Sequence, residues 1–451
     1  MPKIISNIKN LHEIPELKSV NLYKEKQLLL YKYVNGNVKY CDGNKEWEDT
    51  NELCRETFDF KSEYIASRCE ICNKDGNYHK TMLDCHRDLK HIADTLKKES
   101  KGKINLYITG SLKHTGLKLL FEFIENKGKI DLTKPEFITN AREYAWIDAC
   151  NTGALIYCED NYKGEVEAYD FNSYYAFLMT GKQEFPICEG SFIKLDKLNE
   201  NFLFGIYKAK ILSPINKYLF RENKNNFYTH IDLKRARELK YEIELIQDGN
   251  ENFLQYGTNQ RKRANSLFGD YITFLYAIRT KYKAKDEPLE IYVKLLISSL
   301  WGQLSQRRIK IIKEDEDGLL QGELKEGDVH LKSTRLNSGG FEHEYINVND
   351  PFKTRFARIK LFLLAQGRYT ISALIGDNID NVVQIQTDGF MVKPSETKYT
   401  LGNELGQLKL EFKGQADIKN VNNVQVVCNC CGIFFKKSLS KEHLKLCQIN
   451  K

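Results

Sequence analysis

Apolar residues recur at helical spacing in five stretches of this chain. They are Leu117–Asn126, Ile231–Leu239, Ser266–Tyr282, Leu289–Leu300 and Arg355–Tyr369. Each stretch predicts an amphipathic or buried helix. Strand-like runs lie elsewhere, as at Leu28–Val34 and over residues 141–215. Residues 305–350 alternate apolar and charged side chains between glycine breaks at Gly318 and at Gly339-Gly340, which predicts an antiparallel meander or insertion. In the helix over 355–375, Phe356, Ile359, Phe362, Leu363 and Tyr369 repeat as a core stripe does. The acidic run Glu314–Asp317 reads as a solvated turn.

The chain has 451 residues, enough for two to four domains. With 41% hydrophobic and 29% charged residues it is globular rather than disordered. A net charge of +7 is compatible with a polyanionic partner and weak evidence for one. No eighteen-residue apolar run predicts a membrane span, and Met1–Asn7 lacks a secretory stretch. The chain therefore reads as intracellular, with nothing to separate nucleus, cytoplasm and mitochondrion. The twelve cysteines cluster, which suits metal binding or reduced thiols better than a disulfide framework.

Two carboxylates stand out. Asp170 sits in Tyr169-Asp170-Phe171-Asn172-Ser173-Tyr174-Tyr175, and Asp388 in Gln386-Thr387-Asp388-Gly389-Phe390. Each falls in or at the end of a strand-like run, and Gly389 suits a tight hairpin with a carboxylate at its tip. Between them in sequence lies the helical stretch from Lys294 to Gly302, where Ser298 and Trp301 follow Lys294 by four and seven residues and share its face. Carboxylates supply hard oxygen ligands for paired Mg²⁺ or Mn²⁺ ions, and cations such as Lys294, Arg279 and Lys281 can meet a triphosphate. The set points to nucleotidyl transfer.

Three motifs stand in order along the chain. Asp170-Phe171-Asn172-Ser173-Tyr174-Tyr175-Ala176 matches Asp-x-x-Ser-Leu-Tyr-Pro. Lys294 to Gly302 matches Lys-x-x-x-Asn-Ser-x-Tyr-Gly, with Ser298 and Trp301 for Asn and Tyr, and Gln386-Thr387-Asp388 matches Asp-Thr-Asp. In these residues the chain resembles the family B DNA polymerases, within them the protein-primed, viral or linear-plasmid branch. Softer similarity extends over residues 145–427. Tyr144–Tyr157 keeps one glycine, Gly153, of a Tyr-x-Gly-Gly segment, and Leu405–Glu411 resembles the stretch leading into the thumb.

The resemblance implies an α+β right-hand polymerase with an antiparallel palm sheet. The implied domains are an N-terminal Cys/His-containing domain (1–140), a first palm part (141–225), fingers (226–304), a second palm part (305–402) with the insertion at 305–350, a reduced thumb (403–427) and a zinc finger (428–451). Asp170 and Asp388 would hold two Mg²⁺ or Mn²⁺ ions, with the Phe171 carbonyl as a further oxygen. Tyr175 would exclude a ribose 2′-hydroxyl. Lys294, Ser298, Trp301 and Gly302 would receive the nucleotide, with Arg279 or Lys281 as a second phosphate contact. The expected partners are template-primer DNA, deoxynucleoside triphosphates and a terminal protein primer.

There are departures. Gln386 replaces the first Asp of Asp-Thr-Asp, and Asn420–Gln425 stands where a Lys-x-Tyr should grip primer. No exonuclease is expected, because Phe58-Asp59-Phe60-Lys61 carries Lys at the Glu position of Asp-x-Glu. The alternative function is a non-catalytic DNA-binding remnant of such an enzyme.

Cys428, Cys431, His443 and Cys447 have zinc-finger spacing, with Cys430 as a spare or alternative ligand. A second candidate zinc set is Cys69, Cys72, His79 and Cys85, beside His86 and His91.

Overall fold

The structure, a computed structural model, describes residues 30–34, 37–41, 82–109, 112–125, 135–212, 218–283, 285, 287–315, 318–336, 340–427 and 434–436. It divides into two compact units. One comprises Met1–Ile130 and Phe268–Gln303, the other Asp131–Leu267 and Leu304–Lys451.

The first unit is helical where described beyond residue 81. Helices Met82–Glu99 and Leu112–Glu125 pack with Glu287–Gln303, and most of Ala264–Tyr282 belongs to the same unit. Its core includes Ile92, Leu96, Leu120, Tyr271, Tyr292 and Leu296. Gly116 permits a close approach: a Cβ there would lie 3.3 Å from the Tyr271 hydroxyl, which itself donates to the Leu296 carbonyl at 3.2 Å. The helix expected from Leu289 starts at Glu287, because Pro288 is tolerated in a first turn that needs no intrahelical N–H.

Residues 226–267, expected with the fingers, group with the second unit. Only His230–Glu238 among residues 226–260 is α-helical, started by a capping box in which Thr229 and Asp232 exchange hydrogen bonds. Around it lie three-residue strands at Phe227–Thr229, Ile243–Leu245 and Phe253–Gln255, too short for period-two alternation to reveal. They join Ser191–Ile193 and Gly205–Ile211 in a five-stranded sheet over Tyr207, Leu233 and Phe253.

The largest sheet of the second unit has seven antiparallel strands. They are β1 (Ile156–Cys158), β2 (Tyr162–Phe171), β3 (Val382–Gln386), β4 (Gly389–Val392), β5 (Leu408–Asn420), β6 (Asn423–Val427) and β7 (Phe434–Lys436), in spatial order β7-β6-β5-β2-β4-β3-β1. Val166, Ala168, Met391, Ala416, Ile418 and Val426 form a core cluster on it. Residues 403–427, expected as a reduced thumb, supply β5 and β6 of this sheet, and β5 pairs along the whole length of β2. The Asn420–Gln425 segment, where a Lys-x-Tyr is expected, covers the turn between them and the start of β6.

The Ala357–Ile375 helix is buried at thirteen of its nineteen positions, consistent with its core stripe except at Tyr369, which is half-buried with its hydroxyl on Glu238. It also carries two arginines into the interior. Arg358 meets Glu143 at 2.7 Å, and Arg368 meets Asp232 at 2.8 Å. The described residues of 309–347 form a three-stranded antiparallel sheet, but not a sequential meander: its last strand, Phe341–Asn347, lies in the middle and pairs with both Ile309–Glu314 and Asp328–Arg335.

Cys428, Cys431, His443, Cys447, Cys69, Cys72 and His79 lie outside the described residues, as does Phe58–Lys61. Cys85 is described only as backbone of the Met82–Glu99 helix. Among the described residues, no group of three or more His, Cys, Asp or Glu side chains is placed to hold a metal. None of the described helices is long and apolar enough to cross a membrane.

Candidate active site

Strand pairing brings the two aspartates together. Asp170 is the penultimate residue of β2, and its register partner on β4 is Gly389, the residue after Asp388. The Phe171 N–H donates to the Asp388 carbonyl at 3.1 Å and closes the pair from the other side. Glycine is required at 389. A Cβ there would stand 2.9 Å from the Tyr169 carbonyl oxygen and 3.2 Å from Asp170 Oδ1.

The turn carrying Asp388 is strained. Thr387 has φ +63°, in a region that β-branched residues rarely enter. The Asp388 N–H donates back to the Gln386 carbonyl at 2.8 Å, closing a three-residue turn around Thr387. Such strain costs about 1–3 kcal/mol and persists only where surroundings enforce it. The enforcement is visible in the Thr152–Leu155 segment. Arg368 Nη1 donates to the carbonyls of Thr152 and Gly153 at 2.8 Å each, Arg221 donates to Ala154, and the Thr387 N–H donates to Leu155 at 3.2 Å. Ser173, three residues after Asp170, is another non-glycine residue at positive φ, +52°, and begins the short Tyr174–Thr180 helix.

Electrostatics set the two carboxylates against each other. Asp388 is pushed up to about 6, first by burial and then by the charge of Asp170, with Glu411 adding to the rise; its backbone hydrogen bond and Lys409 oppose it. Lys409, on β5 opposite Asp170, lies 3.0 Å from Asp170 Oδ2 and 3.0 Å from Glu411 Oε1. Tyr175 is driven above its ordinary range by burial and then by the charge of Asp388. Its ring lies beside Gly367, where a Cβ would come 3.5 Å from it, and the neighbouring Tyr174 hydroxyl donates to the Gly367 carbonyl at 2.6 Å.

The raised Asp388 has a sign that can be tested. Its folded pKa of about 6 lies above the ordinary 3.8, so the folded chain binds more protons between those values. The stabilisation is complete below the lower value and is lost as pH rises through the upper. Without divalent ions, the melting temperature is expected to rise as pH falls from 7 towards 5, less so in Asp388→Asn. Equal slopes in the two proteins would show that the raised carboxyl is not Asp388.

Of the other expected nucleotide contacts, Lys294, Ser298, Trp301 and Gly302 all lie on the Glu287–Gln303 helix of the first unit, with Lys294, Ser298 and Gly302 exposed. Arg279 pairs with Glu290 at 2.8 Å, and Lys281 with Glu99 at 2.8 Å, so both cations have carboxylate partners within their own unit. Sequence reading missed Lys409 and the two arginines behind the turn. The alternation of Leu408-Lys409-Leu410-Glu411 was the available signal for the first; buried arginines leave none.

Over 81% of its length the chain is similar to Phi29 DNA polymerase complexed with single-stranded DNA, at a TM-score of 0.55 and 15% identity, covering 62% of that chain. Phi29 DNA polymerase complexed with primer-template DNA, as a post-translocation binary complex, is matched over 91% of this chain and 72% of that one, at 0.54 and 14%. The class of fold is therefore that of a DNA polymerase. Residues 18–345 match the family described as DNA polymerase type B, organellar and viral, and the chain belongs to that family. A "Probable DNA polymerase" of Podospora anserina is 23% identical over 96% of this chain, and a "DNA polymerase" of Acidianus bottle-shaped virus (isolate Italy/Pozzuoli) is 24% identical over 66%. The chain spans about two fifths of each relative, 39% and 42% respectively.

Proposed function

We propose that this chain carries the polymerising centre of a template-directed DNA polymerase, which adds deoxynucleotides to a 3′-hydroxyl and releases pyrophosphate. The observation that supports it best is the pairing of Asp170 with the Asp388 hairpin, two carboxylates held so close that each raises the cost of charging the other. Such a donor set fits divalent cations, because hard, negatively charged oxygen ligands are what Mg²⁺ and Mn²⁺ bind. Asp170, Asp388 and the Phe171 carbonyl would hold them, and the ions would supply a lowered pKa for the attacking hydroxyl and charge neutralisation at the phosphates.

The chain's own residues do the positioning. Asp170 sits on β2 and Asp388 in the turn before β4, the strand paired with it. Tyr175, packed beside Gly367, would wall off a ribose 2′-hydroxyl. Lys294, with Ser298, Trp301 and Gly302, would form the nucleotide face of the fingers. The zinc finger at Cys428, Cys431, His443 and Cys447, the second zinc set and a terminal protein primer belong to the same reading.

Primer extension tests it, on a short primed template with Mg²⁺ or Mn²⁺. Extension is expected. No extension, with DNA still retained in a low-salt shift assay, would favour the non-catalytic remnant that Gln386 and the missing Lys-x-Tyr motivate. Gln386 itself is exposed at the end of β3, away from the buried part of the hairpin.

A further inference from the structure

Two carboxylates share one lysine beside the candidate cation site. Three lysine–carboxylate pairs link β2 and β5: Lys409 with Asp170, Lys413 with Glu167 at 2.8 Å, and Lys163 with Asp417 at 3.2 Å. Lys409 is in addition within ion-pair distance of a second carboxylate, Glu411, at the same 3.0 Å. The side chains of Asp170, Glu411 and Lys409 are 25%, 30% and 32% exposed, so the trio is more than a solvated surface contact.

The backbone builds this arrangement. Lys409 is the register partner of Asp170, and Leu410 that of Tyr169, but Phe412 is that of Ala168. The register skips Glu411, which is the extra residue of a β-bulge. Bulges re-aim side chains and recur beside active sites. Glu411 is two residues on from Lys409, the spacing at which strand side chains share a face, and the two meet at 3.0 Å.

We propose that Lys409 is a resident counterion, which holds Asp170 while no divalent cation is bound and passes wholly to Glu411 when one binds. Lys409 is thus a positioning residue, and Glu411 its second seat. This rests on the reading of Asp170 and Asp388 as cation ligands. Without such a counterion the two aspartates would push the β3–β4 hairpin from β2. With it, an incoming cation must compete for an Asp170 oxygen.

The test is Mn²⁺ affinity of the full chain, without DNA or nucleotide, from the paramagnetic resonance signal of free Mn²⁺. Lys409→Met removes the competitor and is expected to tighten binding about fivefold to tenfold. Glu411→Gln leaves Lys409 only Asp170 and is expected to weaken binding severalfold. The double variant should bind as Lys409→Met does, because Glu411 acts through the lysine. Lys409→Arg should stay close to the parent.

A purely structural trio would shift both single variants the same way, which overturns the proposal. So does a double variant weaker than the parent, which would make Glu411 a ligand. If Lys409→Met leaves the affinity unchanged while Asp170→Asn weakens it, the counterion fails and the cation site stands. If Asp170→Asn and Asp388→Asn also change nothing, both fail together. Should Lys409→Met not fold, Glu411→Gln carries the test: unchanged or tighter Mn²⁺ binding overturns the proposal.

Discussion

Replacing Asp388 with asparagine is expected to slow single-nucleotide insertion on a primed template by about a thousandfold or more, through loss of a charged ligand at the reacting centre. Binding of DNA, read by a low-salt shift assay, should change by less than about twofold, since phosphate contacts carry that affinity. The substitution is nearly isosteric and keeps the backbone bond from residue 388 to Gln386 that closes the turn. It also removes a charge that burial, and then the charge of Asp170, make costly at this position. The metal-free variant should therefore melt higher than the parent at pH 7, while its activity collapses. Opposite signs of activity and stability mark a site where function is kept against stability. A variant that is inactive and also melts lower would have lost its fold, and one that extends primers normally would remove Asp388 from the reaction.

The second large effect concerns stability. Glu143 and Arg358 are 0% and 1% exposed, and the pair also takes the Tyr256 hydroxyl, which donates to Glu143 Oε1 at 2.9 Å. Burial disfavours the Arg358 charge, and Glu143 outweighs burial to hold its pKa above the ordinary range. Glu143→Gln leaves that guanidinium uncompensated in a dry interior, which costs about 3–5 kcal/mol. The melting temperature should fall by roughly 10 °C. The double variant combining Glu143→Leu with Arg358→Met should recover much of the loss, because neither charge is then buried alone. Urea unfolding of the three proteins measures this. A single variant within about 0.5 kcal/mol of the parent would show that water reaches the pair.

Both predictions concern residues of unequal legibility. Asp388 is readable because apolar residues flank it and a glycine follows, the pattern of a strand turning back on itself. Glu143 and Arg358 are not, since charged residues in a helical pattern ordinarily mark the wet face, and only the packing around them reveals otherwise. The Ala357–Ile375 helix is readable from its stripe. The β5 strand carries a signal that the resemblance to a thumb-leading segment overrides: Leu408, Ala416 and Ile418 are buried among exposed neighbours. The stretch from 226 to 263 looks more helical in sequence than it is, because one capped helix stands among three-residue strands. The cation trio needs the pairing of β5 with β2, which sets Lys409 opposite Asp170, and the register between distant strands leaves no mark on composition.

The Thr152–Leu155 segment has a mechanical consequence. Four successive carbonyls are held by donors from elsewhere, two by Arg368 of the Ala357–Ile375 helix, one by Arg221 and one by Thr387. Gly153 is therefore no hinge, despite being a glycine. Helix, segment and turn are coupled in series, as a stiff linkage rather than a loop. A rotation of that helix, whose Gly367 lies against the Tyr174 and Tyr175 rings, would bear on the Asp388 turn through these bonds rather than be absorbed by a slack loop.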